Sequence, residues 1–255
     1  MNKRLAWIAM VSFCISAACG LLAVLTATAW VGGDDRSWLT TIRICVTMPW
    51  TKTASSYRLT DRNDGVRASE PRVVDLEWRG GDAVKVDIPA RVHYQPGEKA
   101  QASVGGDAEL VSHVRMRDGR LEWDTVVNCF SADDLVVRIT GPAVTAWTLN
   151  GSGKLDLSDI KQDALRITMR GSGTVTASGE ARQASLDVAG SGRADLGRLV
   201  TQQASARIRG GAEIDLAPRE DADISIAGSA AVRLHGAVTR MQSHISGSGQ
   251  IKQVP

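Results

Sequence analysis

A glycine-centred triplet recurs through the second half of the chain at nearly constant spacing, and this period constrains the fold more than any other feature. Gly-Ser-Gly or a close variant begins at Gly151, Gly171, Gly190, Gly210, Gly228 and Gly247, at intervals of 20, 19, 20, 18 and 19 residues. A phosphate-cradling glycine loop is needed once, where its ligand sits. Copies at a fixed period are the mark of a repeat architecture instead. The glycines Gly151, Gly153, Gly171, Gly173, Gly190, Gly192, Gly210, Gly228, Gly247 and Gly249 are therefore read as structural corners.

Aligning the repeats on the first glycine exposes the pattern between corners. Two residues before it stand Leu149, Met169, Val188, Ile208, Ile226 and Ile245; four after it stand Leu155, Val175, Ala194, Ile214, Val232 and Ile251. Positions four before and six after are also mostly apolar, until Ser243 and Gln253 break those columns. Alternation of apolar and polar residues is the period of a strand with one face buried. The shared parity on both sides of the triplet predicts that both glycines face inward and the serine outward. One repeat of this size cannot offset its own ordering entropy, but stacked repeats share a core and backbone hydrogen bonds. The expected fold is all-β, a right-handed parallel β-helix (β-solenoid) with turns of about 19 residues, following an N-terminal signal or membrane-spanning helix.

Charge excludes one class of partner. The formal net charge of +2 comes from 30 basic and 28 acidic residues. Setting aside Lys3 and Arg4 leaves 28 against 28, so the general electrostatic basis for nucleic-acid binding is missing.

Residues 5–33 carry no charge and follow Lys3 and Arg4, and the run exceeds the roughly 20 residues a bilayer-spanning helix needs. The positive-inside bias then places the rest outside the cytoplasm. Residues 1–33 read as a signal anchor, with Ala27-Thr28-Ala29 as the rival, a cleavage site. The expected location is the bacterial envelope, periplasm or cell surface, with contact to the lipid bilayer through 5–33. Residues 34–72 read as an extension with one strand at Ile42–Met48 and a polar linker at Thr51–Glu70, ahead of a domain at 73–255 whose regular repeats span 151–255. In an oxidising compartment Cys45 and Cys129 are free to pair as a disulfide or to remain two buried thiols.

Between Pro71 and Val144 the β character persists without the period. Asp118-Gly119 between "HVRM" and "RLEW" predicts a two-residue hairpin. The run from "RVHYQPGEKAQASVGG" through "VRMRDGRLEWD" and "LVVRITGPAVTAWTLNGSGKLDL" into the repeats resembles the head GIN domain family of putative autotransporter adhesins, over roughly Val73 to Val254. The resemblance implies an exported β-helical domain and no catalytic residues.

The residues bearing chemistry are sparse. His93, His113, His235 and His244 have no metal-ligand spacing, and no cofactor or metal is expected. Asp195 and Asp215 share one outward position and are candidates for weak cation binding. Outward Arg170, Asp187, Arg207 and Arg209 form the candidate ligand face, better suited to an anionic glycan than to acid–base chemistry because Asp187 is the one proton acceptor among them. The expected function is a non-enzymatic envelope protein presenting a rigid surface for adhesion or glycan binding. An envelope scaffold or stress-sensing partner of a membrane protein is the alternative, and a polysaccharide-cleaving enzyme a more distant one.

Overall fold

The computed structural model describes residues 71–126 and 132–254. The apolar segment at 5–33, the extension and its linker, Cys45 and Cys129 lie outside those residues. The elements run β1 (Pro71–Leu76), β2 (Ala83–Val86), β3 (Arg91–Pro96), β4 (Gln101–Asp107), α1 (Ala108–Val111), β5 (Val114–Arg117), β6 (Arg120–Trp123), β7 (Leu135–Gly141) and β8 (Ala146–Gly151). The repeats follow as β9 (Lys154–Gly171), β10 (Thr174–Gly190), β11 (Arg193–Gly210) and β12 (Glu213–Gly228), then β13 (Ala231–His235), β14 (Arg240–Gly247) and β15 (Gln250–Val254). Together they make an all-β solenoid of about five turns. Among the described residues no helix is long and apolar enough to cross a membrane.

Each long repeat strand bends around the core and pairs in parallel with the turn on either side. Gly190 sits opposite Gly171 on one side and Gly210 on the other. The inward columns are buried as the alternation predicts: Val92, Leu155, Val175, Ala194, Ile214 and Val232 are at most 1% exposed. Burial fails where stacking is one-sided, since among the described residues β14 pairs with β12 alone. The last turn leaves Met241 and Ile245 at 53% and 42% exposure.

The glycines depart from the expected arrangement. Only the third residue of the triplet faces the core: Gly153, Gly173 and Gly192 are buried, and Ala212 and Ala230 occupy the same place at 0% and 1% exposure. The first glycine has a positive φ, +137° at Gly190, and turns its α-carbon against the carbonyl of the first glycine one turn earlier. Only glycine occupies this backbone region readily. The chain therefore does not stay extended through the corner, which is why the parity argument failed there.

The first half is stacked out of sequence order. β3 lies between β7 and β9, parallel to both. Likewise β2 lies between β6 and β8. The turn made by β2 and β3 is thus enclosed between turns the chain forms later. Antiparallel pairs close this end: β1 with β4, β4 with β7, and β5 with β6. The hairpin between β5 and β6 turns on Asp118 and Gly119, both at positive φ (48° and 74°), as a two-residue primed turn requires. An antiparallel cap satisfies backbone groups that an unfinished parallel turn would leave open.

One buried ring fixes the entry into the repeats. Tyr94 packs against Trp147 with ring centroids 5.0 Å apart. Its hydroxyl donates to the Pro142 carbonyl (2.9 Å) and accepts from the Val144 N–H (3.2 Å). Burial raises the Tyr94 pKa. Gly97 N–H donates to the Gly141 carbonyl at 2.8 Å, so the "QPGEK" and "TGP" segments are joined from both sides. Tyr94→Phe leaves the Val144 N–H buried without this partner and is expected to cost about 1–2 kcal/mol in urea unfolding. An unchanged midpoint would show that these contacts carry no net stability.

Candidate functional site

Parallel, in-register stacking puts residues of equal repeat offset into rows about 4.8 Å apart. That register brings the four predicted face residues together. Asp187 lies opposite Arg207 across β10 and β11, Ala189 lies opposite Arg209, and Ala189 also lies opposite Arg170 on β9. All four side chains emerge from one sheet face on three consecutive turns. Arg209 Nη2 is 2.9 Å from Asp187 Oδ1, with the two side chains 58% and 36% exposed. Arg170 and Arg207 are exposed and make no ion pair among the described residues. The face therefore carries a net positive charge on in-register parallel strands, with two guanidinium groups open to solvent. Arginine's planar fork suits carboxylate, phosphate or sulfate groups.

The opposite outward row behaves differently. Asp195 and Asp215 are register neighbours, as their shared offset predicts. Asp215, however, is 8% exposed and accepts two hydrogen bonds from Arg233, both 2.6 Å. His235 Nε2 lies 3.0 Å from Asp215 Oδ1. The Arg233 guanidinium holds the Asp215 carboxyl below its ordinary pKa, His235 adds to this, and burial opposes them. Asp195 accepts from Gly197 N–H at 3.2 Å. A bound cation would compete with Arg233 for Asp215, so the paired carboxylates read as a structural ion cluster rather than a cation site. A carboxylate so held is also a weak proton acceptor.

Two further histidines pair with single aspartates, His93 with Asp156 at 3.1 Å and His113 with Asp124 at 2.9 Å. Among the described residues no group of three or more His, Cys, Asp or Glu side chains is placed to hold a metal. The repeat alignment did carry a signal for the Asp215 cluster. Arg233 occupies the Asp215 offset one turn later, and His235 follows on the same side of the strand.

The fold and these two faces define a β-solenoid domain with an antiparallel cap and a cationic sheet surface. The chain belongs to the family described as "Putative auto-transporter adhesin, head GIN domain", whose model matches residues 82–252. Its structure is similar to that of a putative adhesin from Bacteroides fragilis, at 19% identity and a TM-score of 0.58, covering 74% of this chain and 100% of that one. It also matches a putative lipid binding protein from Parabacteroides distasonis, at 19% identity and a TM-score of 0.48, covering 72% of this chain and 97% of that one. No curated protein sequence matches the chain.

Proposed function

We propose that this chain is an exported, non-enzymatic envelope protein whose solenoid presents a rigid glycan-binding surface, with the arginine face meeting the anionic groups of the ligand. The observation that supports this reading most is the row geometry: Arg170, Arg207 and Arg209 project from one face of in-register strands, while Asp187 is bound to Arg209. Such a face binds anions without offering a general acid–base pair. Membership of an adhesin family agrees with it, and the uncharged run at 5–33 after Lys3 and Arg4 favours export.

The test is binding of acidic envelope polysaccharide by the purified protein and by the triple variant Arg170→Ala, Arg207→Ala, Arg209→Ala. The variant is expected to bind at least tenfold more weakly, about 1.4 kcal/mol, and the binding that remains should depend less on salt. Equal affinity would remove this face as the site. Release of shortened sugar products would make the chain an enzyme, and retention of a membrane protein in place of polysaccharide would favour the scaffold reading.

A further inference from the structure

Beside the arginine face a groove of about 710 Å³ runs across the stacked turns, lined by β8, β9, β10, β11, β12 and β14. Its floor is the inward column Ala184, Ala204 and Ala222, at 8%, 5% and 3% exposure, bounded in the same register by Leu165 on β9 and Met241 on β14. Methyl groups at this column leave a trough where longer side chains would fill the corner. Gln183, Gln203 and Asp221 form one wall, and Ser185, Ser205 and Asp223 the other.

The first wall is internally bonded. Gln183 Nε2 donates to Gln203 Oε1 at 3.1 Å, and Gln203 Nε2 is 3.4 Å from Asp221 Oδ2. Arg240 then clamps Asp221 with bonds of 2.6 and 2.9 Å. Each amide in this ladder retains hydrogen-bonding capacity beyond the bonds named.

We propose that this groove binds the backbone of one linear glycan, laid along the solenoid axis at about one sugar unit per turn. The inference rests on the glycan-binding reading, with the neighbouring arginines meeting acidic substituents of the same polymer. Three features select this ligand. Rows repeat about every 4.8 Å, close to the length of one unit of an extended β-linked pyranose chain, whereas an extended peptide advances about 3.3 Å per residue and drifts out of register. Arg166 and Arg240 balance Asp221 and Asp223 along the groove, so its lining favours a chain whose backbone is uncharged. Both walls offer donors and acceptors while the floor is apolar, matching a sugar's hydroxyl edges and C–H face. A lipid tail would desolvate the wall amides without giving them partners.

The probes are neutral β-1,4-linked oligomers of glucose and of N-acetylglucosamine, from about two to about eight units long, titrated into the purified full chain. Affinity is expected to rise with each unit until the oligomer spans the six lining strands, then to level off. Ser205→Trp, which places a ring in the groove from an exposed position, is expected to weaken the longest bound oligomer at least tenfold. Gln203→Ala, which shortens an exposed wall residue, should weaken it about threefold and serves if the tryptophan variant does not fold. Oligomer binding that ignores length, or is unchanged in both variants, overturns the groove assignment. So does the absence of oligomer binding. If acidic polysaccharide is still bound through the arginines in either case, the proposed function survives alone; if no glycan of either kind is bound, both fall.

Discussion

Gly190→Ala is expected to destabilise the domain by more than about 3 kcal/mol, against about 1 kcal/mol for Gly151→Ala, because only at Gly190 does a carbonyl of the preceding turn occupy the space of the added methyl. Both residues have positive φ, +137° and +90°. A methyl group at Gly151 meets nothing within 4 Å, so that substitution carries backbone strain alone. At Gly190 the added carbon would run into the carbonyl oxygen of Gly171. Gly210 and Gly228 are stacked in the same way, each on the first glycine of the turn before. Relief at Gly190 therefore requires two turns to separate where their ladder bonds are shared. Urea unfolding of the two variants checks this. Equal losses would show that the φ requirement, not the stacking, explains the glycine column.

Asp215→Ala is expected to cost about 2–3 kcal/mol at neutral pH, the range for charge-assisted hydrogen bonds lost from a buried carboxylate. The substitution leaves the Arg233 guanidinium and His235 without their shared acceptor. The pH dependence follows from the direction of the shift. The folded pKa of Asp215 lies below its ordinary value of 3.8, so the unfolded chain takes up the proton first as pH falls. Its contribution is complete above the unfolded pKa and disappears as pH drops through the folded one. Denaturation of wild type and Asp215→Asn between pH 7 and pH 2 should therefore converge at the acidic end. A constant gap across that range would mean that shape, not charge, makes the residue valuable.

The repeats were legible because their chemistry is periodic. A column such as Val175, Ala194 and Ile214 declares which face is buried, and the same alignment puts Arg170, Asp187, Arg207 and Arg209 on one surface. The first half was not legible to the same depth. Its strands and its Asp118-Gly119 hairpin are local signals, but nothing local says that β2 will choose β6 and β8 as neighbours. That choice joins strands far apart in the chain, Val84 with Trp147 for one, and leaves no local trace. The corner glycines misled for a related reason: alternation is valid only while the backbone stays extended, and the positive φ at Gly190 breaks it. The groove escaped notice because Ala184, Ala204 and Ala222 read as ordinary inward positions. Only the angle between two faces of a turn makes small residues there a trough.

The enclosed turn also governs how the molecule bears tension. Beyond β10 each turn is held chiefly by the one before and the one after it, so pulling on the β15 end peels successive turns in order, each yielding separately. At the other end β3 is gripped between β7 and β9, and β2 between β6 and β8. To free that turn, strands on both sides of it must part together. The domain thus has a compliant end and a clamped turn, and β1, an edge strand paired with β4 alone, lies outside that clamp.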